Sequence, residues 1–329
     1  MLLTPIPRVH RSRSTGVGSL FATSTYTGNR STQTITNGIN LSANGGMVMT
    51  KLRSAPSAGG SANWSIYDSA QGFGTKFLEP NVTAGETTIG SSSSSITPLT
   101  TGYSVDTDTA WAHINYELQP YASWTFRKAA SFFDIVTWTG NGSNRTISHN
   151  LGVVPGMILV KRRDTTSDWQ VYHRSLANTE YAVLNTTAAK ATGATRWNST
   201  TATSSVFSLG TDASVNASGG TYIAYVFAHD ASGVIQCGGF TTDGSGAATV
   251  TLGWQPQWIL VKDIDNAATQ WILMDTARTW GASNDNILFP SSTTAENSGS
   301  NAGGPTGTGF TAANFTSSHN HIYMVIRAP

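Results

Sequence analysis

The tightest constraint on this chain is that it says one thing three times. "GGMVMTKLRSAPSAGGSANWSIYDS" (45–69), "PGMILVKRRDTTSDWQVYHRS" (155–175) and "PQWILVKDIDNAATQWILMDT" (256–276) share one plan. An apolar strand ends in a lysine (Lys51, Lys161, Lys262), a polar loop follows, and a tryptophan (Trp64, Trp169, Trp271) opens a second strand. The lysines are 110 and 101 residues apart, the tryptophans 105 and 102. Such regularity is an internal repeat, and any fold must place three equivalent units.

The repeat extends beyond these stretches. Each copy opens on an aromatic–threonine turn ("YTGN" at 26, "WTGN" at 138, "FTTDG" at 240), followed by a short strand ("QTIT", "RTIS", "ATVT"). Each ends on a hydrophobic strand, read as "AWAHINYEL" from 110, "TYIAYVFAH" from 221 and "HIYMVIRAP" from 321. Between them, copies one and three share "FLEPNVTAGE" (77–86) and "ILFPSSTTAE" (287–296), where copy two has "YAVLNTTAAK" (181–190).

Short alternating runs broken by Gly, Ser, Asn and Thr are the pattern of strands, and no helical stripe of three turns is present. Composition agrees. Charged residues are 11% of the 329, against about a quarter in ordinary soluble domains, while the ten Trp provide aromatic mass for several cores. The expected fold is all-β: three tandem antiparallel β-sandwich modules (19–131, 132–229, 233–329), each burying its own core, preceded by an extended N-terminal arm (1–18). Copies of about 100 residues suit small sandwiches better than solenoid units.

The repeated residues read as structural. Each Trp is expected to anchor two sheets of its own module. Each Lys is expected to snorkel outward and guard a sheet edge. "KRR" (161–163), with Arg145, Arg174 and Arg196, is the densest basic cluster and reads as a solvated edge. Cys237 aligns with Ile135, a buried strand position where a thiol acts as a small hydrophobe.

A net charge of +1 leaves no electrostatic footprint for nucleic acid, and no apolar run reaches the roughly 18 residues of a membrane helix. Standard hydrolase, zincin and nucleotide motifs are absent, so no catalytic residue and no cofactor is expected. Asp106 and Asp108 share a face of an extended strand but have no counterpart pair in the other copies. His319 and His321, at i and i+2, are weak metal candidates, since a strand turns both to one side and a threefold axis would gather six imidazoles. The variable loops 54–63, 86–101 and 296–309 are where receptor contact is expected.

"TISHNLGVVPGMILVKRRDTTSDWQVYHRSL" followed by "SVNASGGTYIAYVFAH" resembles a module found in virion structural proteins of tailed bacteriophages, notably marine and cyanobacterial ones. The likeness is close across 138–229, and copies one and three read as diverged versions. It implies a tail-fibre, tail-tip or baseplate component, assembled in the host cytoplasm into the virion, without an assigned active site. The Pro- and Arg-bearing arm, which cannot make a core of its own, is expected to dock on other virion proteins. Exposed sheet edges predict a homo-oligomer, with a trimer favoured, and a host surface glycan is a further expected partner. A carbohydrate-binding receptor protein and a glycan depolymerase are the alternatives.

Overall fold

The computed structural model describes residues 16–56, 63–90, 95–107, 114–230 and 232–329. It is all-β, with only single helical turns among the described residues. Four strands build the main sheet of each module. In module 1 they are β1 (Phe21–Thr27), β2 (Gly46–Leu52), β3 (Ser65–Asp68) and β4 (Pro120–Arg127). In module 2 they are β5 (Phe133–Thr139), β6 (Pro155–Arg162), β7 (Gln170–His173) and β8 (Thr221–Ala228). Module 3 has β9 (Ile235–Thr241), β10 (Pro256–Asp263), β11 (Ile272–Asp275) and β12 (Asn320–Arg327).

The spatial orders are β1-β4-β2-β3, β5-β8-β6-β7 and β9-β12-β10-β11, all antiparallel. The sheet of module 2 runs on through Glu180–Val183 and Ala191–Thr192. The register is also repeated: Lys51 faces Ala122, Lys161 faces Ile223 and Lys262 faces Ile322. Smaller sheets cover one face, among them Gln33–Thr36 with Gly102–Val105 and Ile96–Leu99, and Ala248–Thr251 with Gly309–Ala312.

Register corrects one strand. The closing strand of module 1 is "PYASWTFR" (120–127), and not "AWAHINYEL", of which 110–113 lie outside the described residues. A spacing visible in the sequence marks the correct match. Asn115 precedes Tyr121 by six residues, as Asn216 precedes Tyr222. Both asparagines are buried and hold the turn, Asn115 Nδ2 donating to the carbonyls of Ser31 and Asp106, and Asn216 Nδ2 to those of Ser143 and Gly210.

The second correction concerns the core. β2 is buried at all seven positions, so both faces of the central sheet are covered. Side chains alternate across a strand. Val48 turns outward with Tyr67 and Tyr103 into the sandwich core of module 1, as Ile259 and Val261 do with Phe310 in module 3. Met47, Met49, Leu159, Trp258 and Leu260 turn the other way, into a single core that joins Trp124, Tyr225 and Met324 from all three closing strands. Modules 1 and 3 thus keep sandwich cores of their own, and a further core shared by all three modules lies between them. Their inner sheet faces meet one another, so apolar faces that three separate sandwiches would expose are covered within one chain.

A third correction concerns the arm. Val17–Ser19 form a 3-10 turn and Val17 is buried in the shared core, so the body begins inside the predicted 1–18 segment; residues 1–15 lie outside the described ones.

Candidate functional site

The three lysines and three tryptophans mark the joints between modules. Lys51, Lys161 and Lys262 are 0%, 0% and 1% exposed, on the same inner face as Met49, Leu159 and Leu260. They do not snorkel outward. Lys161 Nζ donates to the carbonyl oxygen of Thr83 (2.8 Å), Lys262 Nζ to that of Thr187 (3.1 Å), and Lys51 Nζ to that of Thr293 (3.1 Å). Burial pushes each ammonium down to about 8.

The tryptophans are 0%, 0% and 1% exposed. Trp169 Nε1 donates to Glu79 O (3.0 Å), Trp271 Nε1 to Val183 O (2.8 Å), and Trp64 Nε1 to Phe289 O (3.0 Å). Module 2 thus holds module 1, module 3 holds module 2, and module 1 holds module 3. The joints close a ring.

One segment receives every joint. Glu79, Val183 and Phe289 are the third residues of "FLEPNVTAGE", "YAVLNTTAAK" and "ILFPSSTTAE"; Thr83, Thr187 and Thr293 are the seventh. The tenth residues, Glu86, Lys190 and Glu296, donate their backbone N–H to the carbonyls of Arg163, Ile264 and Arg53 (2.8, 3.0 and 2.7 Å). The likeness of these segments, unexplained by any one module, follows from their common task of receiving the next module.

Charged groups tighten the same joints. Arg163 and Arg53 pair with Glu86 and Glu296. Trp124 Nε1 donates to Asp275 Oδ2 (2.9 Å), whose carboxylate also takes Arg278 (2.8 Å), both fully buried. Tyr225 donates to Asp68 Oδ2 (2.7 Å), and burial raises that carboxyl above its ordinary value. The "KRR" cluster is therefore not a free basic edge. Lys161 and Arg163 are spent at a joint, Arg162 pairs with Asp164, Arg145 bonds the Thr139 carbonyl, and Arg196 lies 3.5 Å over the Tyr181 ring. Arg174 is exposed.

His173 sits at the joint of modules 2 and 3, 1% exposed, its Nε2–H donating to Tyr323 O (3.0 Å) and its Nδ1 accepting from Ser175 N (3.2 Å). Burial pushes the imidazole down to about 4, against the opposing pull of the Tyr323 carbonyl. Below about pH 6.5 the unfolded chain therefore takes up a proton that the folded ring refuses, and stability falls as pH falls towards 4. Between pH 7 and pH 5 this one group is expected to remove about 2 kcal/mol. Denaturant unfolding of wild type and His173→Gln at both values measures it. Parallel losses in the two proteins would refute the assignment.

The sole cysteine, Cys237, is buried, and burial raises its thiol far above the ordinary range, which leaves no thiolate for chemistry. Asp108 lies outside the described residues, so the Asp106–Asp108 pair has no described geometry; Asp106 accepts from Ser95 Oγ.

The histidine pair separates. His319 precedes the strand and bonds Asp263 Oδ2 through Nδ1 (2.9 Å), while His321 is 1% exposed and stacked on Phe240 at 4.9 Å. Among the described residues no group of three His, Cys, Asp or Glu is placed to hold a metal. Register matches His321 with Tyr222, which faces Arg162 as His321 faces Asp263. The same position in module 1 is Tyr121, facing Leu52.

Beside His321 the sandwich of module 3 opens into a cleft of about 490 Å³. Its floor is the outer face of β10 and β11 (Val261, Ile272), and one wall is Asn297–Ala302, from the variable loop 296–309. Phe289 and Phe315 add rings. Of the other two variable loops, 57–62 and 91–94 lie outside the described residues.

A single family model, described as "Domain of unknown function (DUF7483)", matches residues 17–326 and so spans all three modules. The chain belongs to the DUF7483 family. The match begins at buried Val17 and ends at Ile326 in the shared core, so the DUF7483 unit coincides with the ring and not with one repeat. Comparison with curated proteins gives no match. No helix among the described residues is long and apolar enough to cross a membrane.

Proposed function

We propose that the chain is a non-enzymatic structural component of a tailed-phage virion, in a tail fibre, tail tip or baseplate. The observation that supports this reading is the cyclic joint. The buried lysines, Asp68 with Tyr225, Arg163 with Glu86, and Asp275 and Arg278 against Trp124 tie modules together. Groups so buried are out of reach of a substrate, and they make a body that holds its loops in fixed relation. The resemblance of 138–229 to virion modules supports the particle, and residues 1–15 would dock on a neighbouring virion protein. Mass spectrometry and antibody labelling of purified particles test the reading: the chain should appear at fixed stoichiometry on the tail. Its absence from particles, or release of reducing ends from host glycans by the purified protein, would overturn it.

A further inference from the structure

The cleft in module 3 is where the repeat departs from its own pattern. In modules 1 and 2 the residue at this register position is a tyrosine stacked on a ring of the opening strand, Tyr121 on Tyr26 (5.3 Å) and Tyr222 on Trp138 (5.4 Å). Each hydroxyl is tied to the loop before the closing strand, accepting from Tyr116 N (3.0 Å) or Ala217 N (2.7 Å). Module 3 puts the shorter His321 there, and its loop is Ala313–His319 where module 2 has Gly210–Gly220 with a helical turn. Both changes remove atoms from one place, and the cleft of about 490 Å³ occupies it. That volume lies within the roughly 300–1,000 Å³ of small-molecule sites.

His321 is on the outer face with Val261, so its ring forms part of the cleft wall. Its Nδ1 lies 3.1 Å from the carbonyl oxygen of His319, which can only accept, so the proton is on Nδ1 and Nε2 carries a lone pair. Nε2 is buried and has no partner among the described residues. Such an unmet acceptor is unfavourable, and a ligand hydroxyl or amide N–H would relieve it. The wall also presents the amides of Gln270, Asn297, Asn301 and Asn314, and the rings of Phe289 and Phe315. No Lys or Arg contributes to it, and the Asp263 carboxylate is engaged by His319 and the backbone N–H of Asp265 and Asn266.

We infer that this cleft binds a neutral sugar unit, one hydroxyl donating to His321 Nε2, the other hydroxyls meeting the amides, and a C–H face lying on the aromatic rings. Amides both donate and accept, as hydroxyls do, and a wall without cations gives an anion nothing to pair with. The site is a property of the isolated chain and does not depend on its role in a particle.

The test is saturation-transfer NMR and calorimetry on the purified full chain. The probes are glucose, galactose, mannose and N-acetylglucosamine, each free and as the terminal unit of a trisaccharide, with glucuronate and inorganic phosphate as anionic controls. At least one neutral sugar should bind saturably. His321→Tyr, which installs the residue of modules 1 and 2, should weaken it at least about tenfold without lowering the unfolding midpoint. Preference for the trisaccharide would identify a glycan terminus and equal binding a free sugar; either supports the site. Should His321→Tyr fail to fold, Asn297→Ala with Asn301→Ala, both exposed, should give a similar loss. No saturable neutral sugar, tighter binding of the anions, or unchanged affinity in the variants would overturn the inference.

Discussion

Replacing Trp169 by alanine should destabilise the whole ring by about 3–5 kcal/mol, the range for truncating a large buried aromatic. The side chain is 0% exposed, stacks 6.1 Å from Tyr225 in the shared core, and loses its donation to Glu79 O across the joint. Because the inner faces of all three modules share that core, the loss should appear as one shifted transition and not as early melting of module 2 alone. Trp169→Phe keeps most of the packing and forfeits the hydrogen bond and part of the indole's contact, so it should cost less. Denaturant melts followed by fluorescence and by circular dichroism check both points. A shift near zero would mean that the ring needs no anchor at this joint, and two resolved transitions would mean that the modules fold separately.

An effect of similar size is expected from Arg278→Met, which leaves Asp275 fully buried without its cation. Arg278 is itself fully buried, bonded to Asp275 at 2.9 Å through Nε and to Glu296 at 3.1 Å, and stands 5.2 Å over the Trp124 ring. Removing one member of a buried pair costs about 3–5 kcal/mol, because the remaining charge is stranded in a poorly polarisable interior. Arg162→Ala is the control. Its pair with Asp164 lies near solvent, where ion pairs contribute about 0–1 kcal/mol. Adding Asp275→Asn to Arg278→Met should recover part of the loss. If both single variants cost the same, the buried network contributes no more than a surface pair.

The sequence alone carried the all-β class and the threefold strand plan, but not the limits of the units, since the body starts at Val17 and the closing strand of module 1 is Pro120–Arg127. Alternation, turn residues and the threefold Lys–Trp plan are local, and a local pattern survives in whatever tertiary setting the strands find. It also picked out the positions that matter, since Trp64, Trp169, Trp271 and their lysines are the joint residues. What they touch was not legible. A lysine after a buried run has the same sequence signature whether it reaches water or a carbonyl of another module, and only the closing of the ring brings Thr83, Thr187 and Thr293 within reach of these ammonium groups. The cleft was hidden for a related reason. The difference between Tyr222 and His321 carries meaning only once strand register places them at the same point, and register is fixed by pairing between strands distant in the chain. Tertiary structure thus decided that three β modules make one body with a shared core, because each inner sheet face could leave water only against the other two.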